Sequence, residues 1–531
     1  MGMKKNVSPA NDTRQMVEYE ASAESRRIFG AVYTPQSIAL WLAQHVEHLG
    51  FTPKLVLDPA AGDGVLLKAA QEVFPNCRAI AFEIDPEAHL RLKKYWPQRN
   101  SGAKDSLMIS RWLPRGSEDV LIFSNPPWGA KISAEANLRY RDKFESAKGF
   151  YDLYDLFLEK SFQELPEGSW GAFFLPDSIL LKQHKDIRKL LVENAQIKSV
   201  TRLPEGVFNG VAMGSIAIVF RKIRPKWNSR MLISRINRTN YKQFKTHSVY
   251  LAREIKQNSR FINQSDWRSD PSFSWSMELE GAGSFIKQLN VFKGIPNCES
   301  TWDEWFESGR GLEIGKKAPF LLSQSGNSIN SQQRVVAVGE DVNRLSIKPT
   351  RTINLNLPRF NFKSELNDQP RILVRKTGIG LKAVVASGVV TTQTIYHFIP
   401  KKNAPEYALH YAAGFLISRV IIALHLAKTG EIEWRSHPYV TQRTIRELNL
   451  PIPKAGTRDE KVAIEIASLS KIMHEKGTSP LLEEKLDQLV CQIIGGESGL
   501  QNWAYKFLFN VKGCSYTKML VADINLDSQV A

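Results

Sequence analysis

At 531 residues, 43% apolar and 24% charged, the chain is too long for one ordinary core and apolar enough for two or three packed domains. Its four cysteines are scattered, with no Cys-x-x-Cys pair, which argues against a disulfide framework and against zinc and suits a reducing cytoplasm. The net charge of +17, from 71 Lys and Arg against 54 Asp and Glu, calls for a polyanionic partner.

Residues 1–28 read as an N-terminal tail, with no apolar core and so no secretory signal. From residue 54 short β-rich runs alternate with amphipathic helices. Strands are expected at 54–57, 79–84, 120–123 and 171–175, with helices at 65–74, 87–95, 151–165 and 185–195 and closing strands at 197–203 and 215–220. This rhythm implies an α/β domain over 29–225, with helices on both faces of a mainly parallel sheet and a ligand outside the carboxyl ends of the strands. Past residue 225 the rhythm stops. Residues 226–455 are irregular and β-like, and 456–531 turn helical. The apolar run at 411–427 is shorter than the roughly 20 residues a membrane span needs, and it reads as a buried helix; no membrane partner is expected.

Two turns interrupt the first domain. "DPAAGDG" (58–64) lies between a strand and a helix, and Gly62 and Gly64 allow a sharp bend and close approach of a ligand. Its acids, Asp58 among them, suit a cation better than a pyrophosphate. Glu83, one strand later, can accept hydrogen bonds from a ribose diol. A cationic ligand with a ribose and an adenine is S-adenosyl-L-methionine.

"SNPPWG" (124–129) follows the third strand. Two prolines have no N–H for a sheet ladder, so they end the strand in a stiff turn. The side-chain oxygen of Asn125 and the backbone oxygen of Pro126 can then grip the two N–H bonds of an exocyclic amine. That grip favours the pyramidal, cationic nitrogen that forms as a methyl group arrives. Pro127 helps hold both oxygens still. Trp128 offers a face on which an extruded base can stack.

Taken with these residues, the stretch 29–222 resembles the N6-adenine DNA methyltransferases of restriction–modification systems, most closely the gamma order, or TaqI-like group. "FGAVYTPQSIALWL" (29–42) is similar to the family's first cofactor motif, which implies that Thr34 lies near the methionine end. "LDPAAGDGVLL" (57–67) is similar to the glycine-loop motif, which adds Ala60 to the cofactor contacts; the family more often has cysteine and serine where Ala61 and Asp63 stand. "AKDSL" (103–107) implies that Asp105 contacts the cofactor's adenine, although Lys104 occupies a usual glycine position. "LPEGVFNGVAMGSIAIVFRK" (203–222) implies that Phe208 supplies a second aromatic to the flipped base.

The family also implies that the second half reads DNA: a target-recognition domain over 226–455 and a helical region over 456–531. Twelve Lys or Arg against one acid between residues 221 and 260, interleaved with Trp227, Tyr241, Phe244 and Tyr250, suit a nucleic-acid backbone. "SGRGLEIGKKAPF" (308–320) has the wrong spacing for a phosphate loop and resembles the glycine turn that opens such domains. "RILVRKTGIGLKAVVAS" (371–387) and "WRSHPYVTQRTIRELNLPIP" (434–453) also resemble one, and Arg375 and Lys376 are equally suited to phosphates and to guanine.

The expectation is thus a Rossmann-like S-adenosylmethionine-dependent methyltransferase sheet followed by a mixed α+β recognition domain and a helical tail. It would act as a monomeric modification enzyme on double-stranded DNA, with a separately encoded restriction endonuclease as a possible partner. The same chemistry on cytosine N4 or RNA, and a non-catalytic DNA-binding subunit, remain open alternatives. A serine is commoner than asparagine at position 125 for cytosine. A large basic second half is unusual for RNA enzymes.

Overall fold

The computed structural model describes residues 30–95, 100–211, 213–236, 259–270, 273–279, 281, 285, 289, 300–313, 322–324, 333–354, 368–429, 440–496, 498–509 and 511. The chain divides into two compact units. One comprises Met1–Pro176, Lys189–Leu232 and Thr239–Gln264, and the other Asp177–Arg188, Ile233–Arg238 and Ser265–Ala531.

In the first unit, helix α1 (Gln36–His48) precedes β1 (Leu55–Asp58), α2 (Val65–Val73), β2 (Arg78–Glu83), α3 (Pro86–Tyr95) and β3 (Asn100–Ala103). Next come β4 (Val120–Ser124), α4 (Ala134–Lys143), α5 (Leu153–Glu164), β5 (Trp170–Pro176), α6 (Lys185–Asn194), β6 (Gln196–Leu203) and β7 (Ser215–Arg221). The expected strands and helices therefore stand within about two residues of their places, as boundary readings usually do. β1 to β5 are parallel, and β7 runs antiparallel between β5 and β6. Every residue of β1 and β4 is buried, as expected of central strands covered on both faces.

Two further strands, β8 (Arg230–Arg235) and β9 (Ser259–Asn263), extend the sheet to the order β3-β2-β1-β4-β5-β7-β6-β8-β9. The sheet thus runs past the domain end expected at residue 225. Edge pairing is non-local and leaves little local signature, which is why the alternation is lost from the sequence there. Most of the basic segment expected to hold nucleic acid, residues 237–258, lies outside the described residues.

The order reverses between β1 and β4: β2 and β3 lie to one side, β4 and β5 to the other. Asp58 ends β1 and Ser124 ends β4, and Leu57 pairs with Ile122 in register, so both turns emerge side by side at the carboxyl edge. Such a switch point leaves a crevice for a ligand.

The second unit contains a four-stranded sheet in the order Phe306–Arg310, Ile395–Pro400, Arg371–Arg375 and Ala383–Ala386, and a second four-stranded sheet that includes Gln333–Ala337 and Arg351–Asn354. Helices α7 (Ala408–Ile417), α8 (Arg419–Thr429), α9 (Arg458–Lys476), α10 (Pro480–Ile493) and α11 (Ser498–Phe509) complete it. One apolar core joins Ile372 and Phe398 of the first sheet to Phe415, Ile466, Val490 and Leu508. The helical region expected to stand apart from residue 456 therefore shares its core with residues expected as the recognition domain. Its apolar stripes have no other face to bury against.

The single buried helix expected over 411–427 is a pair, α7 and α8, bent by 60° at Ser418. The Asp487 carboxylate explains the break. It accepts from Ser418 Oγ (2.7 Å), Arg419 N (2.9 Å) and Arg419 Nε (2.6 Å), so it caps α8 and neutralises the buried guanidinium together. Among the described residues no single helix is long and apolar enough to cross a membrane.

Candidate active site

A cavity of about 270 Å³ opens at the carboxyl ends of β1, β2 and β4. Thr34, Asp58, Ala60, Gly62, Glu83, Asp105, Asn125 and Pro127 all line it. Eight of the expected site residues, spread over some ninety positions, are thus brought together. Gly64, Pro126, Trp128 and Phe208 do not line it.

The glycine loop forms one wall. Gly62 and Gly64 have φ of 56° and 86°, and Gly64 is the N-cap of α2. A Cβ on Gly62 would lie 3.0 Å from the Tyr33 ring, so only glycine fits beneath that aromatic. Glu83 is committed to the backbone on several sides. Oε2 accepts from Gly62 N (2.6 Å), and Oε1 accepts from Ile84 N and Asp85 N (2.8 Å each). Two carboxylate oxygens offer about four acceptor positions, so one direction on Oε2 is left for a ribose hydroxyl.

Asp58 differs. Oδ1 accepts from Ser124 Oγ (2.7 Å) and Ala60 N (3.0 Å), while Oδ2 is buried without a hydrogen-bond partner among the described residues. Burial pushes the Asp58 carboxyl up to about 7, against the pull of those two donors. Burial also raises Asp63 and Glu83. Five carboxyl groups (Asp58, Asp63, Glu83, Asp85, Asp105) face Lys104 and Lys131 around the cavity. Such a site has unspent affinity for a cation. Together with the glycine cradle and the orphaned Oδ2, it fits S-adenosylmethionine.

The proline turn is held from both sides. Asn125 Nδ2 donates to Val32 O (2.8 Å) and Thr34 Oγ1 (3.1 Å). A carbonyl can only accept, so the amide nitrogen must face Val32. That orientation leaves Asn125 Oδ1 buried and, among the described residues, without a partner. Trp128 N donates to Gly30 O (3.0 Å), and a Cβ on Gly30, at φ 66°, would come within 2.8 Å of Trp128 O. On the far side Gly129 N donates to Asp152 (2.9 Å), which also caps α5. The segment 30–34 therefore clamps the turn as well as lining the cavity, a role not expected of Gly30 or Val32.

Asp105 is spoken for in this structure. Oδ1 caps the short helix Ser106–Met108 through Leu107 N (3.0 Å), and Oδ2 accepts from Tyr140 OH (2.9 Å). Tyr33, Asp63 and Tyr140 line the cavity without having been singled out from the sequence. Tyr33 and Asp63 lay inside quoted motifs, whereas Tyr140 reaches the site only through packing of α4.

Trp128 and Phe208 meet edge to face, with ring centroids 5.0 Å apart and an interplanar angle of 70°. They are 7% and 2% exposed, and Phe208 also packs against Phe174. The two rings expected to hold a base are in contact with each other. Trp128 Nε1 is buried without a partner among the described residues.

Only fragments of the expected DNA-facing segments are described. Arg224, Lys226 and Arg230 are exposed beside Trp227, itself 72% exposed, and the Arg230 guanidinium lies 4.8 Å from the Phe261 ring centre. Arg375 Nε and Lys382 Nζ approach the space above Gly378, at 3.7 and 3.8 Å from where a Cβ would stand. Residues 314–320 and 434–439 lie outside the described residues.

Residues 100–292 match the family model described as N-6 DNA Methylase. The chain is 31% identical over 211 residues to the type II methyltransferase M.TthHB8I of Thermus thermophilus, covering 37% of this chain and 46% of that protein. It is 30% identical over 190 residues to the type II methyltransferase M.AccI of Acinetobacter calcoaceticus, covering 34% and 33%. The chain thus spans less than half the length of these curated relatives. A type I restriction–modification methyltransferase subunit from Streptococcus thermophilus aligns at 16% identity and a TM-score of 0.36, over 45% of this chain and 57% of that one. So partial a likeness carries no weight for the fold, which the strand order establishes by itself. Through the domain at residues 100–292, with its Asn-Pro-Pro-Trp turn, the chain belongs to the N-6 DNA methylases of restriction–modification systems.

Proposed function

We propose that this protein transfers a methyl group from S-adenosylmethionine to the N6 amino group of an adenine flipped out of double-stranded DNA, as the modification enzyme of a restriction–modification system. One observation carries the reading: the amide of Asn125 is anchored through its nitrogen, and its buried oxygen has no partner among the described residues. A buried acceptor without a donor costs free energy, of the order of 1–3 kcal/mol, unless a ligand supplies one.

When bound, S-adenosylmethionine would supply the methyl group; Asp58 and Glu83 would hold its cationic and ribose ends. Asn125 Oδ1 and the carbonyl of Pro126 accept the two N–H bonds of the amine. Because both are rigid before substrate arrives, little reorganisation is left for the moment of transfer. The proton leaves after the nitrogen has become cationic, so no dedicated general base is required. Asparagine at position 125 supports adenine over cytosine N4. The basic excess supports DNA as the acceptor. The type II methyltransferase relatives support a role in restriction–modification, where a separately encoded endonuclease would be the partner. A monomer acting in the cytoplasm is consistent with this reading.

The test is Asn125→Ala, with methyl transfer to DNA and cofactor affinity measured separately. Transfer should be lost while calorimetry still records cofactor binding. Near-normal turnover would overturn the role of the turn.

A further inference from the structure

Lys160 is 2% exposed, on α5, and is named in none of the motifs that define the site. A lysine ammonium is seldom buried without a carboxylate. Among the described residues this one has backbone carbonyls instead. Nζ donates to Ser106 O (2.8 Å), to Leu107 O (3.1 Å) and to Ile109 O. Three donors meet three acceptors, so the ammonium is fully used. It also lies over the Trp112 ring, 4.8 Å from the centre, and Trp112 Nε1 donates to the same Ser106 carbonyl at 2.8 Å.

Those carbonyls belong to the turn that forms a wall of the cavity. Lys104, Asp105, Ser106 and Leu107 all line it. Ser106 Oγ ties the turn to the glycine loop through Pro59 O (2.7 Å). Leu153 and Phe157 of α5 line the cavity as well. Residues three or four apart share a helix face, so α5 presents Phe157 to the ligand space and Lys160, one turn on, to the back of the wall.

Apolar burial would have been cheaper there. A methionine of similar length would avoid desolvating a charge but would leave three carbonyls with one donor fewer each. The charged groups around the ammonium are Lys143 of α4, which shares Leu107 O (2.7 Å) and Ile109 O (3.4 Å), together with Glu164 of α5 and Asp105. Burial, then Lys143, lowers Lys160 to about 8. The site thus bears a net cost for the charge, and the carbonyl wall is what the charge holds.

We infer that Lys160 is a positioning residue for cofactor binding: it braces the Asp105–Leu107 wall from behind, so that the adenine end of the cofactor meets a preformed surface. The inference rests on the proposed use of S-adenosylmethionine. The test is Lys160→Met in the full chain, read by steady-state kinetics with S-adenosylmethionine and DNA varied in turn, beside a thermal melt.

A rise of about tenfold or more in KM for S-adenosylmethionine, the effect of losing one charge-assisted hydrogen bond, with kcat and the KM for DNA unchanged, supports the inference. An unchanged KM for the cofactor in a folded variant overturns it. So does a parallel loss of both KM values and thermal stability, which marks a general structural role. Should Lys160→Met fail to fold, Lys143→Gln decides the matter. Lys143 is exposed and braces two of the same carbonyls, so a selective rise of about twofold to fivefold in the cofactor KM supports the inference, and no change overturns it. Failure of the wild type to bind S-adenosylmethionine at all would be a failure of the proposed function, and is read from the same titration.

Discussion

The cofactor cavity and the aromatic pair lie at opposite sides of the Asn125 turn and stand in opposite states. The cavity is open, walled by the glycine loop, and holds two acceptors without partners among the described residues, Asp58 Oδ2 and Asn125 Oδ1. The Trp128–Phe208 pair is closed, ring against ring, with both side chains buried. One region is built in advance for its ligand. In the other a base can enter only by parting two rings whose edge-to-face packing is worth about 0.5–1.5 kcal/mol beyond area burial. Gly206 and Gly210, at φ of 84° and 71°, flank Phe208 and mark where the backbone can give. The contrast teaches that cofactor binding and base capture make separate demands on the fold, and separate substitutions should expose them.

The largest effect is expected at the junction of the two. Asn125→Ala should lower kcat by about 10²–10³-fold, the usual cost of a preorganised acceptor or donor at developing charge, while the calorimetric affinity for the cofactor stays within about twofold. Equal losses in both would erase the distinction between the two regions.

On the cavity side, Asp58→Asn should weaken S-adenosylmethionine binding by about tenfold to a hundredfold, the range for hydrogen bonds to charged groups. The same residue sets a pH dependence. Its folded-state value is raised from 3.8 to about 7, so its favourable contribution to stability is complete below 4 and is lost as pH rises through 7. A cationic ligand favours the ionised form and must displace that proton. Affinity should therefore tighten between about pH 5.5 and 7 and level off above. Calorimetry in two buffers of different ionisation enthalpy should register the released proton, and Asp58→Asn should abolish both signals. A flat profile in the wild type would place the cation elsewhere.

On the aromatic side, Phe208→Leu keeps most of the buried volume but removes the stacking face. The KM for DNA should rise about tenfold, within the 1–3 kcal/mol range of one base–aromatic stack, with cofactor affinity untouched. An unchanged KM would return Phe208 to the packing of the sheet. The smallest effect is electrostatic. Replacing Arg224, Lys226 and Arg230 by Gln should make the plot of log affinity for DNA against log salt shallower, by about 0.9 in slope for each phosphate no longer neutralised. An unaltered slope would leave that stretch a solvated surface.

Much of this was legible in the chain itself, and the reason is local. Period-two and period-3.6 patterns are set by which faces each element must bury, so β1, α2, β4 and β5 stand close to where the residues alone put them. Gly62 and the paired prolines announce backbone geometry that other residues adopt poorly. What the pattern hid is what depends on distant partners. β8 and β9 continue the sheet through pairings far apart in sequence. The helix run at 411–427 breaks because Asp487 caps it from 68 positions away. Tyr140 and Lys160 reach the cofactor wall only because α4 and α5 pack beside it.

Residue order alone was enough for the kind of chemistry: a glycine loop, a ribose acid and an amide before two prolines are short-range devices whose meaning lies in their own atoms. Tertiary packing decided the states of those atoms. Val32 and Thr34, some ninety positions upstream, turn the Asn125 oxygen free. Ser124 and burial leave Asp58 half satisfied, and Phe208 closes on Trp128. A hydrogen bond or a ring pair needs two partners within a few ångströms, and only the folded chain brings such partners together.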